Sequence, residues 1–399
     1  MFVVVVFVGF YYDPQREIEL LADSKCAISA AANQYQEGFL TGLGKETEIL
    51  TTISTATFPR GSRRLFFARQ VKETEKGKIT YLPFVNIHLV KSWMFAGGLR
   101  KELLKRLKNQ HSVTVYVYSL NVVFERVMAE LKREFGNRFH YCLIIPDLPG
   151  KYGIVRTGIK GFKDRLEVKP KMTLASCADS YVFLTEEMRE LFPPKPSVVL
   201  EGFLPQCGFD YTQKRIPKTV LYTGSLNREY GFGTLLDAFD SIFDPDAKLW
   251  ICGAGDMESE VKQAARRDTR IQFKGFLPKR EIAKLQTQCD VLINPRSAQG
   301  EYTQYSFPSK TMEYLLSGSK VLMYRLPGIG EEYYQYIRTI DTDGPKAMAS
   351  ALQTAWADES FYEERSDQQI AWIYTEKDAR TCVARAMKEL GLIIDNRTM

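Results

Sequence analysis

The stretch VLINPRSAQGEYTQYSFPSKTMEYLLSGSKVLM, which runs from Val291 to Met323, decides the fold of this chain. It opens on a short apolar run that ends at Asn294, and a second apolar run begins at Lys320. Between the two runs, apolar residues recur at helical spacing over Ser309–Ser317, and Gly318 then ends the helix. A strand, a helix and a strand in this order predict a parallel strand pair joined by a crossover helix.

The same alternation of short β-rich runs and helical patterns extends over the rest of the chain, which predicts an α/β protein with parallel sheets. The predicted strands are Phe2–Phe10, Val113–Tyr118, Tyr141–Ile145, Tyr181–Leu184, Val198–Leu200, Lys218–Tyr222, Lys248–Cys252, Ile271–Lys274, Val291–Asn294 and Lys320–Tyr324. The predicted helices are Ala27–Leu43, Val122–Glu134, Thr234–Phe243, Met257–Arg267, Lys279–Gln288 and Ser309–Ser317.

A chain of 399 residues is too long for one ordinary core, so two domains are expected. We predict a first domain over 1–204, a second over 205–375, and a C-terminal helix over 376–399 that returns to the first. The apolar start, Met1–Phe10, is too short for a signal peptide or a membrane span. Seven cysteines without a CxxC pair are typical of a reducing compartment, so a cytoplasmic location is expected.

Positive charge is concentrated in the first half of the chain. Residues 1–200 hold 29 Lys and Arg against 20 Asp and Glu, a balance of +9, whereas residues 201–399 hold 25 against 28, a balance of −3. The stretches Phe58–Lys72 and Trp93–Lys108 mix basic with aromatic or leucine residues. They predict contact with an anionic membrane surface, hence a peripheral position on the inner face of the plasma membrane. The alternative is a solvated helix face that packs on its own core.

The candidate chemistry lies where strands end and helices begin, because ligands of parallel sheets bind at the carboxyl edge. Arg296 follows a strand and Lys310 opens the next helix, so the two cations could neutralise one diphosphate. Glu313 lies on the same helix face as Lys310, where its carboxylate could accept hydrogen bonds from two ribose hydroxyls. The alternative is a surface Lys–Glu pair on a crossover helix.

Two other loops follow strands of the second half. Gly224 permits a phosphate to approach backbone N–H groups, and Arg228 could add a fork of donors. The Gly253-Ala254-Gly255 run has Glu258 where a dinucleotide fingerprint has its third glycine, so a structural turn is favoured.

From about Lys218 to Leu326 the chain resembles the sugar-nucleotide-binding domain of GT-B glycosyltransferases. It resembles in particular the family 4 retaining enzymes of bacterial capsule and exopolysaccharide clusters. The matching pieces, in order, are YTGSLNREYG, LWICGAGDMESEV, IQFKGFLPKREIAKL, DVLINPR and YSFPSKTMEYLLSGSKVLMYRLPG. The resemblance implies two Rossmann-like domains that face each other across a cleft, and the first half would bind the acceptor.

The resemblance also implies roles for individual residues. Gly224 would lie beside the donor diphosphate, whose phosphates Arg296 and Lys310 would contact, and Glu313 would hold the ribose. Phe276 and Leu277 would frame the nucleobase with backbone groups, and Ser306 and Phe307 would present backbone N–H groups to the donor. The full predicted donor-binding set is Gly224, Ser225, Arg228, Phe276, Leu277, Tyr305, Ser306, Phe307, Ser309 and Glu313.

The chain departs from the family pattern at three positions of this set or beside it. Many members carry Arg at the position of Ser225 and Lys at that of Tyr230, and Arg228, Arg296 and Lys310 are expected to replace these cations. The family's paired glutamates, eight positions apart, would fall at Tyr305 and Glu313. The first of them commonly contacts the donor sugar, so Tyr305 leaves the identity of that sugar open.

Asp147 follows the predicted strand Tyr141–Ile145, and related enzymes often present a His or Asp at such a strand end. Asp147, Arg296 and Lys310 are therefore the candidate catalytic residues. The alternative for Asp147 is a loop cap, and no histidine receives a catalytic role.

These observations predict a hexosyltransferase-type glycosyltransferase that moves a sugar from a UDP- or GDP-linked donor to a saccharide acceptor. We expect the acceptor to be lipid-linked and to belong to cell-surface polysaccharide synthesis. We also expect retention of configuration, no metal, no cofactor beyond the donor co-substrate, and no nucleic-acid partner. The alternatives are a non-catalytic GT-B partner subunit and a sugar-nucleotide epimerase.

Overall fold

The computed structural model describes residues 3–25, 30–53, 57–148, 168–205 and 207–392. The chain divides into two compact units, one formed by Met1–Phe203 with Ala379–Met399 and the other by Leu204–Asp378. The domain limits predicted from the sequence, at 204/205 and 375/376, differ from these boundaries by one and by three residues. No helix in the described ranges is long and apolar enough to cross a membrane.

The first unit is built on an eight-stranded sheet in the order β10-β9-β8-β7-β1-β2-β5-β4, and a separate antiparallel pair, β3–β6, lies outside it. All neighbours in the large sheet are parallel except β4 and β5, which form an antiparallel edge hairpin. The strands are β1 (Val3–Gly9), β2 (Glu48–Thr51), β3 (Phe66–Phe67), β4 (Gln70–Thr74), β5 (Gly77–Tyr81), β6 (Phe84–Val85), β7 (Ser112–Tyr118), β8 (Phe139–Ile145), β9 (Ser180–Phe183) and β10 (Ser197–Val199). The central strands are rich in β-branched and aromatic residues, and they are buried on both faces, as parallel sheets require.

Helices of the first unit are α1 (Glu17–Asp23), α2 (Ala30–Leu43), α3 (Val90–Asn109) and α4 (Val122–Phe135), and residues 168–175 are also helical. The start of α4 is fixed by Asn121, whose side chain accepts hydrogen bonds from the N–H groups of Val123 and Phe124. The buried residues of α3 recur every four positions, at Phe95, Leu99, Leu103 and Leu107. The leucine face of the predicted stretch Trp93–Lys108 therefore packs on its own core.

The second unit is a six-stranded parallel sheet in the order β13-β12-β11-β14-β15-β16. Its strands are β11 (Ile216–Thr223), β12 (Lys248–Cys252), β13 (Ile271–Gly275), β14 (Cys289–Asn294), β15 (Lys320–Tyr324) and β16 (Ile337–Ile340). Its helices are α5 (Phe232–Asp240), α6 (Glu258–Arg267), α7 (Lys279–Gln288), α8 (Lys310–Leu316), α9 (Pro345–Ala357), α10 (Phe361–Glu364) and α11 (Ser366–Glu376). The last helix, α12 (Ala379–Glu389), packs against α2 of the first unit.

The predicted α/β architecture with parallel sheets is confirmed, and the predicted strands and helices are present with small shifts at their ends. The helix predicted over Ala27–Leu43 is described from Ala30 onward, because residues 26–29 lie outside the described residues.

The strand order of the second unit reverses between β11 and β14, and this switch point positions the candidate site. The chain runs outward from β11 through β12 to β13, and then returns to β14 on the other side of β11. The two loops that leave β11 and β14 at the carboxyl edge touch at Gly231, which has a φ of 74°. A Cβ atom on Gly231 would lie 2.1 Å from the carbonyl oxygen of Pro295. Ligands of open parallel sheets bind at such a switch point.

Candidate functional site

Two backbone loops form the floor of the candidate donor site in the second unit. The N–H of Gly224 donates to the carbonyl of Cys252 at 3.0 Å, and that of Leu226 donates to Ala254 at 3.0 Å. Gly253 has a φ of 145°, and a Cβ atom there would lie 1.8 Å from the carbonyl oxygen of Gly224. The glycines at 224 and 253 thus allow the loops after β11 and β12 to lie against each other, which is the structural role favoured for the Gly253–Gly255 run.

Arg296 is the most unusual side chain of this site. It follows β14, only 8% of it is exposed, and its guanidinium carbon lies 4.4 Å from the centroid of the Tyr302 ring. One terminal nitrogen, Nη2, donates to the Oγ of Ser306 at 2.6 Å, and Nε is buried without a hydrogen-bond partner. Among the described residues no carboxylate lies within ion-pair distance of Arg296.

Burial of an arginine without a counter-charge is unfavourable, and it affects the pKa of Arg296. Desolvation lowers the pKa of the Arg296 guanidinium, and the hydroxyl groups of Tyr302 and Tyr230 oppose that shift only in part. A buried charge in proteins is normally paired, because desolvation costs several kcal/mol otherwise. An anionic ligand at the switch point would supply the missing partner of Arg296.

The loop between β14 and α8 brings backbone donors beside this arginine. The N–H groups of Ser306 and Phe307 donate to no group in the described part of the chain. Phe307 is buried and its ring packs 5.3 Å from that of Tyr333, which fixes the loop to the body of the unit. The loop therefore holds one guanidinium and two amide donors together. The resemblance implies a role in donor binding for the same three residues, which stays a prediction.

Lys310 and Glu313 contact each other on the first turns of α8. The Lys310 Nζ donates to the Oε2 of Glu313 at 2.7 Å, and both side chains are partly exposed. Ser309 precedes the helix without a side-chain capping bond, and Tyr305 ends the short 3-10 segment before it. The pair has the geometry of the surface Lys–Glu alternative, and its partial exposure leaves both groups within reach of a ligand.

Arg228 has a carboxylate partner of its own. Its guanidinium donates to the Oε1 of Glu260 on α6 at 2.9 Å, and its N–H donates to Asp256 at 3.2 Å. Both members of the ion pair are exposed, so the pair contributes about 0–1 kcal/mol to stability. Arg228 is thus paired on the surface, whereas Arg296 is buried and has no carboxylate partner in the part of the chain that the structure describes.

The remaining predicted donor residues lie on loops at the same sheet edge. Ser225 is exposed, and its carbonyl accepts a hydrogen bond from the Tyr222 hydroxyl at 2.6 Å. Phe276 is 86% exposed directly after Gly275, whose φ of 67° turns the chain out of β13, and Leu277 is half-buried.

Sequence reasoning missed two tyrosines that organise this site. Tyr302 stacks under Arg296, and its hydroxyl donates to the Glu229 carbonyl at 3.3 Å. The hydroxyl of Tyr314 on α8 is buried against the backbone N–H and carbonyl of Thr223, each at 3.1 Å. The only signal in the sequence was an aromatic residue six positions after Arg296, and a tyrosine on a crossover helix.

Asp147 lies in the first unit, directly after β8, in a pocket of about 230 Å³. The pocket is lined by aromatic and apolar side chains such as Phe10, Tyr12 and Tyr118, and also by the polar side chains of Asn33, Gln36 and Ser119. The carboxyl group is reachable by solvent yet enclosed by these walls, and this desolvation raises the pKa of Asp147 to about 6. The carboxylate of Asp147 makes no hydrogen bond or ion pair with the described residues, so it does not act there as a loop cap. It lies at the carboxyl edge of the sheet.

Metal-ligating clusters of three or more His, Cys, Asp or Glu side chains do not occur in the described ranges.

Comparison with known proteins bears on the second unit in particular. The model of the family described as Glycosyl transferases group 1 matches residues 217–358. This range begins in β11 and includes every predicted donor-binding residue. A search of curated proteins finds no matching sequence.

Solved structures resemble the whole chain at low identity. Sucrose-phosphate synthase from Thermosynechococcus elongatus has a TM-score of 0.61 at 15% identity, over 97% of this chain and 99% of that one. Anabaena HepE in complex with UDP and glucose has a TM-score of 0.61 at 14% identity, over 98% and 100%. WaaG, a glycosyltransferase involved in lipopolysaccharide biosynthesis, has a TM-score of 0.58 at 10% identity, over 97% and 100%. At such identities the likeness shows the fold, which is that of the GT-B glycosyltransferases with two Rossmann-like domains.

Proposed function

We propose that this chain, a glycosyltransferase of the GT-B fold whose residues 217–358 match the group 1 family, transfers a sugar from a nucleoside-diphosphate donor to a saccharide acceptor. The observation that carries the proposal is Arg296, a buried guanidinium at the switch point of the second unit that has no carboxylate partner among the residues the structure describes. A diphosphate is the anion that best fits this setting, because the N–H groups of Ser306 and Phe307, which donate to no backbone group in the described ranges, lie on the same loop.

The donor is proposed to be a UDP- or GDP-linked sugar. HepE, which shares the fold, was solved with UDP and glucose, and this favours a uridine donor for the first trials. In our assignment Glu313 accepts hydrogen bonds from the ribose hydroxyls, and Phe276 and Leu277 flank the base. Tyr305 stands where a second glutamate is expected, so the contact with the donor sugar differs in kind from that of the resembling enzymes.

The transfer step exchanges one glycosidic bond for another. The bond between the anomeric carbon and the leaving phosphate oxygen breaks, and a bond between that carbon and the acceptor hydroxyl oxygen forms. The hydroxyl proton passes to the leaving phosphate, so no protein base is required for retention of configuration. Arg296 and Lys310 stabilise the charge that develops on the phosphate, which is a role that preorganised cations fill without a metal ion.

The acceptor is proposed to be a lipid-linked saccharide of cell-surface polysaccharide synthesis, such as capsule or exopolysaccharide, bound by the first unit. The pocket beside Asp147 supports this assignment, because aromatic walls and one carboxylate suit the face and the hydroxyls of a sugar. WaaG, which acts in lipopolysaccharide biosynthesis, has the same fold. We place the enzyme in the cytoplasm, at the inner face of the plasma membrane.

The test combines thermal-shift measurements with product analysis. We expect one nucleoside diphosphate among UDP, GDP and ADP to raise the melting temperature of the wild-type protein, and its effect to be lost in Arg296→Ala. Incubation with the matching sugar nucleotide should release the nucleoside diphosphate, and the release should be faster when the acceptor is present. A change of the donor sugar without release of the diphosphate would indicate the epimerase, and binding without turnover would indicate the non-catalytic partner.

A further inference from the structure

Large apolar side chains are exposed on one part of the first unit. Six of them lie in two short segments, 57–69 and 85–93, and they form what we call the Trp93 surface. Its members are Phe58, Phe66, Ile87, Leu89, Val90 and Trp93. Trp93 is 78% exposed, Leu89 70% and Phe66 68%. Single exposed apolar residues are ordinary, but a contiguous group of this kind marks an interaction site.

Backbone hydrogen bonds show that the two segments adjoin. The N–H of Phe58 donates to the carbonyl of Asn86 at 3.0 Å, and the N–H of Asn86 donates to Leu65 at 2.7 Å. Phe66 pairs with Val85 between β3 and β6. These contacts place Phe58 and Phe66 next to the start of the run 87–90, in which all four residues are exposed.

The start of α3 holds the most exposed members in a conformation that needs support. Leu89 has a φ of 68° and a ψ of −44°, in the left-handed half of the map that a leucine rarely adopts. Its carbonyl accepts the N–H of Trp93 at 3.0 Å, which keeps the two side chains one helical turn apart. The structure thus maintains a strained backbone at a residue whose side chain contacts mainly solvent.

The charge of the surface is uniformly positive. Neither segment contains Asp or Glu, and 57–69 contributes Arg60, Arg63, Arg64 and Arg69. Arg64 pairs with Glu19 and Asp23, and Arg69 lies 3.4 Å from Glu102. Arg60 and Arg63 are exposed, and neither has a carboxylate partner among the described residues. The partner of this surface must therefore be apolar and anionic at once.

We infer that the Trp93 surface binds the interface of a membrane that contains anionic lipid. Trp93, Leu89 and Phe66 would enter the boundary between headgroups and acyl chains, and Arg60 and Arg63 would contact lipid phosphates. A second copy of this chain fits less well, because a two-fold interface would place the same arginines opposite each other. The part of α3 that is involved differs from the one expected from sequence, since its leucine face is buried and its exposed large apolar residues are Val90 and Trp93 in the first turn.

The experiment measures co-sedimentation of the full chain with vesicles of phosphatidylcholine alone or mixed with phosphatidylglycerol. We expect binding to the mixed vesicles that weakens as salt is raised. The double variant Leu89→Asn with Trp93→Ser should bind about tenfold more weakly, since two partly inserted apolar side chains are lost. Asn tolerates a positive φ, so this variant should remain folded. The matched control is Phe243→Ser, which removes a 93% exposed aromatic residue of the second unit and should leave binding unchanged.

Fluorescence gives a direct second reading, because Trp93 is the only one of the four tryptophans classed as exposed. Insertion should shift the emission of the wild-type protein to shorter wavelength on addition of anionic vesicles, and Trp93→Phe should abolish the shift while vesicle binding persists. Equal loss of binding in the Phe243 control would overturn the inference, as would failure to bind anionic vesicles. If the wild-type protein forms a dimer without lipid and the double variant is monomeric, the inference would also be overturned, because the surface would then bind a second copy of this chain. The rate of sugar transfer to a water-soluble acceptor is measured separately, and the double variant should transfer at the wild-type rate.

Discussion

The guanidinium of Arg296 lies over the ring of Tyr302, with 4.4 Å between the guanidinium carbon and the ring centroid. The hydroxyl of Tyr302 also donates to the carbonyl of Glu229, which belongs to the loop after β11. One tyrosine therefore links the two loops that meet at the switch point. It orients the arginine without neutralising it, because an aromatic face attracts a cation but carries no net charge. The cation remains available to a ligand.

The first prediction concerns the charge of Arg296. Arg296→Ala should lower kcat/KM for the donor by about 100-fold or more, which corresponds to the loss of a preorganised donor at the leaving group. Arg296→Lys keeps the positive charge but not the fork that reaches Ser306, so its kcat/KM should lie between those of the wild type and Arg296→Ala. Arg228→Ala is the matched control, because its guanidinium pairs with Glu260 on the surface. Near wild-type turnover by Arg296→Ala would refute the diphosphate assignment.

The second prediction separates the two contacts of Tyr302. Tyr302→Phe keeps the ring under Arg296 and loses the hydroxyl, with its bond to Glu229 and its interaction with the guanidinium, so kcat should change by about threefold or less. Tyr302→Leu removes the ring and should lower kcat/KM by about 30-fold, since a cation–π contact in a desolvated site contributes about 2 kcal/mol. Steady-state kinetics with varied donor would measure both. Equal effects of the two substitutions would show that the hydroxyl, rather than the ring, positions the arginine.

Much of the fold follows from the sequence because parallel strands are continuous apolar runs. The runs before Asn294 and Tyr324 are buried on both faces, and each is followed or preceded by a helix with clear periodicity. Short strands such as β2 and β4 were not predicted, because they lack such apolar runs. β2 has four residues, and β4 carries a polar, mostly exposed sequence at the sheet edge, so neither presents the apolar pattern of a central strand.

The candidate site was only partly predictable, because spacing along the chain does not give the partners of a side chain. Arg296 and Ser306 are ten positions apart, yet the loop between them folds back to join them at 2.6 Å. Arg228 shows the same limit in reverse, since its partner Glu260 lies on α6, with α5 and β12 between them in the chain. The tyrosine beneath Arg296 has no sequence signature, because cation–π contacts depend on loop geometry alone.

The third prediction assigns Glu313 to the ribose. If its carboxylate accepts the ribose hydroxyls, then 2′-deoxy nucleoside diphosphate should bind the wild-type protein about tenfold more weakly than the ribonucleotide. In Glu313→Gln the difference between the two nucleotides should shrink, because the charged acceptor is gone. Titration calorimetry of both ligands on both proteins completes a double-mutant cycle. An unchanged difference would leave Glu313 as the surface partner of Lys310.

The fourth prediction concerns the pH dependence of Asp147. Its enclosed setting raises the pKa to about 6, so the carboxylate is protonated below that pH and ionised above it. If the ionised form accepts a hydrogen bond from the acceptor, kcat/KM for the acceptor should rise with pH through about 6. Asp147→Asn should remove this acid limb and lower kcat/KM by about tenfold or more. An identical pH profile in the variant would assign the limb to another group.

The fifth prediction concerns stability and rests on Glu125, which α4 places in the core of the first unit. Both carboxyl oxygens are buried without a hydrogen-bond partner in the described residues, and desolvation raises the pKa of Glu125 to about 8 despite the opposing charge of Lys171. Between its ordinary value of 4.5 and about 8, the folded state holds a proton that the unfolded state has released. The free energy of unfolding should therefore fall as pH rises through this window, by at most about 1.4 kcal/mol per pH unit.

Glu125→Gln removes the ionisation and should raise the melting temperature of the first unit at about pH 8 relative to the wild type, with little effect at about pH 5. The matched control is Glu130→Gln on the same helix, because Glu130 is exposed and lies 3.9 Å from Arg100 at the surface. Its substitution should change the melting temperature little at either pH. A wild-type melting temperature that rises across this range, with Glu125→Gln parallel to it, would show that the buried carboxyl group has found a partner that stabilises its charge.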